Sequence, residues 1–234
     1  MDSNAAGAPT ELVADGAIAS DLATYTAART AVTEFRVPAA PELVVGQGPR
    51  PTVSVGELVA AGALTVLESP PTLVTVAAGD AMFSAKDVRL DRGPSVHGDG
   101  TLPGAVTARP GDVVLVTGGG PSVVSVWQET ALMGPGIAVL RVNPKVIDAG
   151  FLAGVVRAWC DAAGGRPIDL FAVAFPRMPI GEQRVAGAAV VRLLRIETQW
   201  RRTRSVVEQL VERGLAGISS GTWSAVPETD GPHG

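Results

Sequence analysis

Apolar positions change their period twice along the chain, and each change predicts a different kind of structure. From Ala17 to Phe35 small and apolar residues have the composition of a helix, with Ser20 as the side chain to cap its start. Pro38, Pro41, Pro49 and Pro51, together with Gly46 and Gly48, then break the pattern and predict an irregular lead-in. The run SVGELVAAGAL predicts a short helix with Ser54 as its cap and Gly62 as its end, resting on Leu58, Val59 and Leu64.

From Leu64 the apolar residues fall into short runs rich in β-branched side chains: LTVLE, TLVTV, GDVVLVT, SVVSVWQ and GIAVLRVN. Turn residues separate them, so they predict strands of a mixed sheet. Asp148 to Ala163 interrupts these runs with Phe151, Leu152, Val155, Val156 and Trp159 at helical spacing, which predicts one helix on the sheet. DLFAVAFPRMP is a last extended segment, and Pro179 opens the longest periodic stretch. There a seven-residue frame puts Ala186, Leu193, Trp200 and Val207 on one line and Ala189, Ile196, Thr203 and Leu210 on the other. All but Thr203 are apolar, as in a helix packed along another long helix, and Gly214 marks the expected end. The N-terminal segment within the chain, or a second copy, could supply the partner. The expectation is an α+β fold in which a mixed-sheet globular domain is followed by a long C-terminal heptad helix. Its segments are a lead-in (1–53), the globular domain (54–178), the helix (179–214) and a mobile tail (215–234).

Composition narrows the functional classes. With 234 residues and 46% hydrophobic content the chain can bury a core, and 28 glycines with 18 prolines fit a loop-rich, strand-containing fold. Nineteen basic residues against 23 acidic ones give a net charge of −4, which excludes nucleic-acid binding by bulk positive charge. Any such binding must be local. Cys160 stands alone and cannot form an internal disulfide; the first residues lack signal-peptide character, and no apolar run reaches the ~18 residues of a membrane span. A cytoplasmic protein is expected.

His97 and His233 with one cysteine do not make a standard zinc site, and no cofactor is expected. His97 reads as a solvated residue of the loop GPSVHGDG rather than part of a Ser/His/Asp set. The GGGP segment at Gly118 lacks the Lys-Ser/Thr of a phosphate loop and reads first as a hairpin turn, second as bare backbone approaching a ligand. Basic residues gather in SAKDVRLDRGPSVHGDG and on the long helix at Arg184, Arg192, Arg195, Arg201, Arg202 and Arg204. The helix group reads as a solvated face.

The order KDVRLDRGPS, ARPGDVVLVTGGG, GIAVLRVNP, FLAGVVRAW and FPRMPIGEQRVAGAAVVRLLRIE resembles the target-recognition domain of type I restriction enzyme specificity subunits. It resembles still more the C-terminal recognition region of actinobacterial N-6 adenine DNA methylases. Pro179, Glu182, Gln183 and Arg184 match the proline–acid–glutamine entry to the family's long helix, and Gly111, Asp112 and Val113 match its glycine–aspartate strand start. The resemblance covers about residues 54 to 213, and its specificity lies in the order and spacing of the motifs.

The resemblance implies sequence-specific recognition of double-stranded DNA for a methylation or restriction-modification system, as in bacterial defence. The helix would act as a spacer that docks a methyltransferase subunit or domain, or pairs in a homodimer, through Ala186, Leu193, Ile196, Trp200, Val207 and Leu210. Carried over by loop position, the DNA-binding candidates are Ser84, Lys86, Arg89, Arg92, Gly118, Gly119, Gly120 and Ser122, with Arg109 as a further phosphate contact. Asn143-Pro144-Lys145-Val146 lacks the second proline and the aromatic of an adenine methyltransferase motif, so no catalysis by this chain is expected. The alternative is a protein-interaction or scaffold module acting through the heptad helix. An enzyme built on His97 or the GGGP turn ranks last, because no complete acid/base or nucleophile set can be read.

Overall fold

The structure is a computed structural model that describes residues 8–46, 48–69, 75–117 and 120–226. These form two compact units, one drawn from Met1–Pro38 and Gln199–Gly234, the other from Ala39–Thr198.

The elements follow in the order α1 (Ala8–Glu34), β1 (Thr52–Ser54), α2 (Val55–Ala60), β2 (Leu64–Glu68), β3 (Thr75–Phe83), α3 (Ala85–Leu90) and β4 (Val96–Gly98). Then come β5 (Thr107–Ala108), β6 (Val113–Val116), β7 (Val123–Val126), β8 (Ala131–Met133), β9 (Ala138–Val142), α4 (Ala149–Ala163), β10 (Ala174–Pro176) and α5 (Ile180–Ser219). The α+β class expected from the strand runs and the two helical stretches is what the chain adopts.

Local chemistry explains the boundaries. Ser54 caps α2 in a reciprocal box with Glu57, and Gly62 follows with φ 69°, so the predicted start and end hold. Asp148 caps α4 by accepting from the Phe151 N–H at 2.9 Å. Ser20, in contrast, does not start α1; it lies inside the helix, where its carbonyl accepts from Thr24. The Ala-rich segment before it extends the helix, since a single Gly16 costs only about 1 kcal/mol.

In the Ala39–Thr198 unit the central sheet has the order β2-β9-β6-β7, antiparallel throughout. Both its faces are covered, which is why β6 reads as the unbroken run Val113-Val114-Leu115-Val116, buried at every position. Val113, Leu115, Val124 and Leu140 face Leu152 and Val156 of α4. Val114, Val116, Val123 and Val139 face the other way, onto Phe83, Met133 and Trp127. Beyond them lies the second sheet, β4-β3-β8-β5, in which β3 and β8 run parallel. The pair β1-β10 closes the unit near the start of α5.

The start of α5 is fixed to α4 by two devices. Gln183 is buried; its side-chain carbonyl accepts from the Asp148 N–H at 3.0 Å, and its amide donates to the carbonyls of Val146 and Met178. Gly150 and Gly154 of α4 and Gly187 of α5 leave no room for a side chain: a Cβ on Gly154 would lie 2.6 Å from Val190 Cγ2. The helices therefore meet almost backbone to backbone.

In the other unit α1 packs on the last part of α5. Tyr25 lies against Gly214 and Trp223, with ring centroids of Tyr25 and Trp223 5.4 Å apart, and Arg213 pairs with Asp21. Gly214 does not end the helix as the pattern predicts. It is a contact glycine, where a Cβ would stand 3.0 Å from Tyr25 Cε2, and α5 runs on to Ser219. Its first turns beyond Gly214 belong to the stretch expected to be a mobile tail, and Trp223 folds back over Gly217. Residues 227–234 lie outside the described residues.

Candidate nucleic-acid interface

SAKDVRLDRGPS, read as a loop, contains the helix α3. Ser84 is its N-cap: the hydroxyl accepts from the Asp87 N–H, and the Asp87 carboxylate accepts from the Ser84 N–H at 2.8 Å. Asp87 is fully buried, and Ser95 Oγ and Arg92 Nε also donate to it, at 2.7 Å and 2.5 Å. Burial alone would push this carboxyl up, but the hydrogen bonds from the Ser84 backbone, Ser95, the Ser84 hydroxyl and Arg92 together hold it below the usual range. Asp87 thus ties the start of α3 to the loop that follows it. Asp91, the C-cap, adopts the left-handed conformation (φ 46°) that turns the chain toward Arg92.

The candidate residues separate into groups. Lys86 is exposed and Arg89 half-buried, and they stand three residues apart on α3, on one side of the helix. Arg89 Nη1 donates to the Pro121 carbonyl at 2.6 Å and lies beside Gly120, whose φ of 137° favours glycine. Arg89 and Gly120 therefore meet where α3 reaches the β6–β7 connection, while Lys86 stands one turn earlier on α3 and Ser84 caps its start. Gly118 and Gly119 lie outside the described residues. The strands on either side of the connection pair antiparallel, as a hairpin requires.

Arg92 donates to Asp87 and Ser95 and so holds the loop that follows α3. Ser122 faces the Cys160 thiol on α4; burial pushes that thiol up, and Ser122 acts in the opposite sense. Arg109 precedes β6 whereas Gly120 follows it, so strand length keeps the two at opposite ends of the sheet. At the Arg109 end, Asp112 is buried and takes the Arg109 N–H at 2.8 Å and two bonds from Arg141, at 3.0 Å and 2.7 Å. The glycine–aspartate motif is a turn and an ion pair: Gly111 supplies φ 89°, and Asp112 raises the Arg141 guanidinium above its ordinary value.

His97 lies on β4 opposite Ala81 and is exposed; the segment read as a loop is partly strand. On α5, Leu193, Trp200 and Val207 are exposed, Trp200 by 61%, while Ala186, Ile196 and Leu210 are half-buried. Among the described residues no three His, Cys, Asp or Glu side chains gather as metal ligands, and no helix is long and apolar enough to cross a membrane. The supports Asp87 and Ser95 were missed by sequence reasoning; Ser84-Ala85-Lys86-Asp87 is the capping-box spacing that could have found them.

No family model matches the chain, and no curated protein matches it. Among solved structures it is similar to the HsdS subunit from Thermoanaerobacter tengcongensis, with 22% identity and a TM-score of 0.45 over 87% of this chain and 54% of that one. It is also similar to a chain from a study of complex assembly and conformational transition of the type I R-M system, with 21% identity and a TM-score of 0.47 over 89% of this chain and 53% of that one. The chain spans about half the length of these two solved structures. Likenesses of this degree assign neither a family nor an activity.

Proposed function

We propose that the chain is a DNA target-recognition module of a methylation or restriction-modification system, acting in the cytoplasm without a catalytic centre of its own. The observation that carries this reading is on α3: Arg89 stands beside Gly120, and Lys86 is exposed one turn earlier on a helix whose start is held by buried Asp87. Cations on a pre-organised helix at the edge of a sheet suit phosphate and base-edge contacts, and they supply the local positive surface that a net charge of −4 demands. The order of motifs between residues 54 and 213 supports the same reading. Chemistry on the base belongs to a methyltransferase subunit or domain, docked along α5.

Selection of bound duplexes from a random-sequence pool at low salt, with and without a candidate methyltransferase subunit, tests this. An enriched motif containing adenine is expected. No enrichment in either condition from folded protein would overturn the reading.

The second reading, a protein-interaction module, is favoured by one observation: Trp200 and Val207 expose apolar surface on the last part of α5. Through such a stripe a partner subunit, or a second copy, would dock. A folded protein that selects no DNA yet loses its partner on Trp200→Glu would establish it.

A further inference from the structure

A further inference concerns a cleft beside α3 and rests on the DNA-recognition reading. β7 is an edge strand of the central sheet. Along it runs a cleft of about 430 Å³, walled by the α3 C-cap on one side and by the 191–198 stretch of α5 on another. A smaller recess of about 150 Å³ shares Asp91, Ser125, Val126 and Gln128 with it and adds Arg92, Trp127 and Glu129. Two segments that are far apart in sequence meet here. Arg195 of α5, read from the sequence as one of a solvated row, lines the same cleft as Asp91 at the end of α3.

The donor and acceptor set narrows the ligand. Asp91 in the cleft and Glu129 in the recess make the pair a poor general anion site, while Arg195 in the cleft and Arg92 in the recess make it a poor site for a simple cation. Gln128 is exposed and presents an amide; its Nε2 donates to the Val126 carbonyl at 2.9 Å. Trp127 is 93% buried by its 7% exposure, and its indole N–H has no hydrogen-bond partner. A nucleobase edge carries both donors and acceptors and is flanked by a phosphate. Glutamine matches adenine N6 and N7, carboxylates accept from an exocyclic amino group, and arginine takes the phosphate.

We propose that this cleft is a base-reading site in which Gln128 determines specificity at one adenine-containing position and Arg195 holds the adjoining phosphate. Reading then exchanges the Gln128–Val126 bond for bonds to the base, so little is lost on binding and discrimination comes from the mismatched base. Arg195 adds affinity that is blind to sequence.

The test uses the full chain and the duplex that wild type selects. Arg195→Ala should weaken binding to all sequences alike and reduce the slope of log affinity against log salt by about one. Gln128→Ala should lower discrimination at a single position by roughly 5- to 100-fold and leave the others unchanged. Gln128→Glu should move the preference there from adenine toward cytosine, a switch that a merely structural side chain would not produce and that decides the matter if Gln128→Ala melts early. If wild type selects a motif and Arg89→Ala weakens it, while the Gln128 and Arg195 variants bind and discriminate as wild type does, the cleft is not a reading site although the module still recognises DNA. If wild type selects no motif, the module reading fails and this inference with it.

Discussion

Arg92 Nε donates to the Asp87 carboxylate at 2.5 Å, and the two side chains differ in exposure, 45% for Arg92 and none for Asp87. The pair therefore anchors the surface to the interior: the buried acid fixes the arginine, and the arginine fixes the loop that follows α3. Arg89, three residues earlier, instead reaches across to the β6–β7 connection.

Neighbouring cations with different duties should respond differently to truncation. Arg89→Ala should weaken DNA binding while leaving thermal melting near that of wild type, because the Pro121 carbonyl it leaves can be taken by water. Arg92→Ala should lower stability by about 1–3 kcal/mol, since Asp87 loses a charged donor while buried. Melting curves beside DNA titrations separate the two. Equal loss of stability in both variants would contradict the division of roles.

The same carboxylate sets a pH dependence. Asp87 titrates lower in the folded protein than in the unfolded chain, so its contribution is present above the ordinary carboxylate value of about 4 and is lost as pH falls below it toward the folded value. Asp87→Asn should be destabilised at neutral pH, and the difference from wild type should narrow as the pH is lowered through that window. Urea midpoints at pH 7 and at the acid end measure it. A constant difference would show that the charge is not what matters.

How much of this could be read in advance depended on how local the physics was. The Ser54 cap, the helical stretch from Asp148 and the strands β2, β6, β7 and β9 were legible because capping chemistry, helical spacing and β-branched runs act over a few residues. α3 was not, because six residues, half of them charged, are too few to show a helical apolar period; only the Ser84–Asp87 spacing betrays it. Gly214 was misread as a stop because glycine also serves close packing, and only the folded chain shows Tyr25 against it. The site divided in the same way. α3 could be picked out as a basic segment, but its buried support, the separation of Arg109 from Gly120 and the place of Arg195 and Asp91 in one cleft are tertiary relationships.

Glycine packing between α4 and α5 gives a sharp steric expectation. Gly154→Ala places a methyl group within 2.6 Å of Val190 Cγ2, so one of the helices must shift; overpacking of this kind costs about 1–3 kcal/mol. Val190→Ala alone should cost less than that, being half-buried, and the double variant should recover most of the loss from Gly154→Ala. Denaturant unfolding of the four proteins of the cycle reads the coupling. Strictly additive losses would show that the two positions do not touch.

Trp200 tests the role of the long helix. It is 61% exposed, and the exposed Val207 stands one heptad after it, a spacing that a facing helix would cover. An exposed tryptophan contributes little to the stability of the free chain, so Trp200→Glu should melt within a few degrees of wild type. Burying a new carboxylate against an apolar partner carries a desolvation penalty of several kcal/mol, enough to abolish docking. Light scattering of each protein alone and mixed with a candidate methyltransferase subunit therefore has a clear expectation: a heavier species with wild type that Trp200→Glu does not form. The same mass for both proteins, with the partner bound equally well, would remove this face of α5 from the docking surface and leave DNA recognition to stand without it.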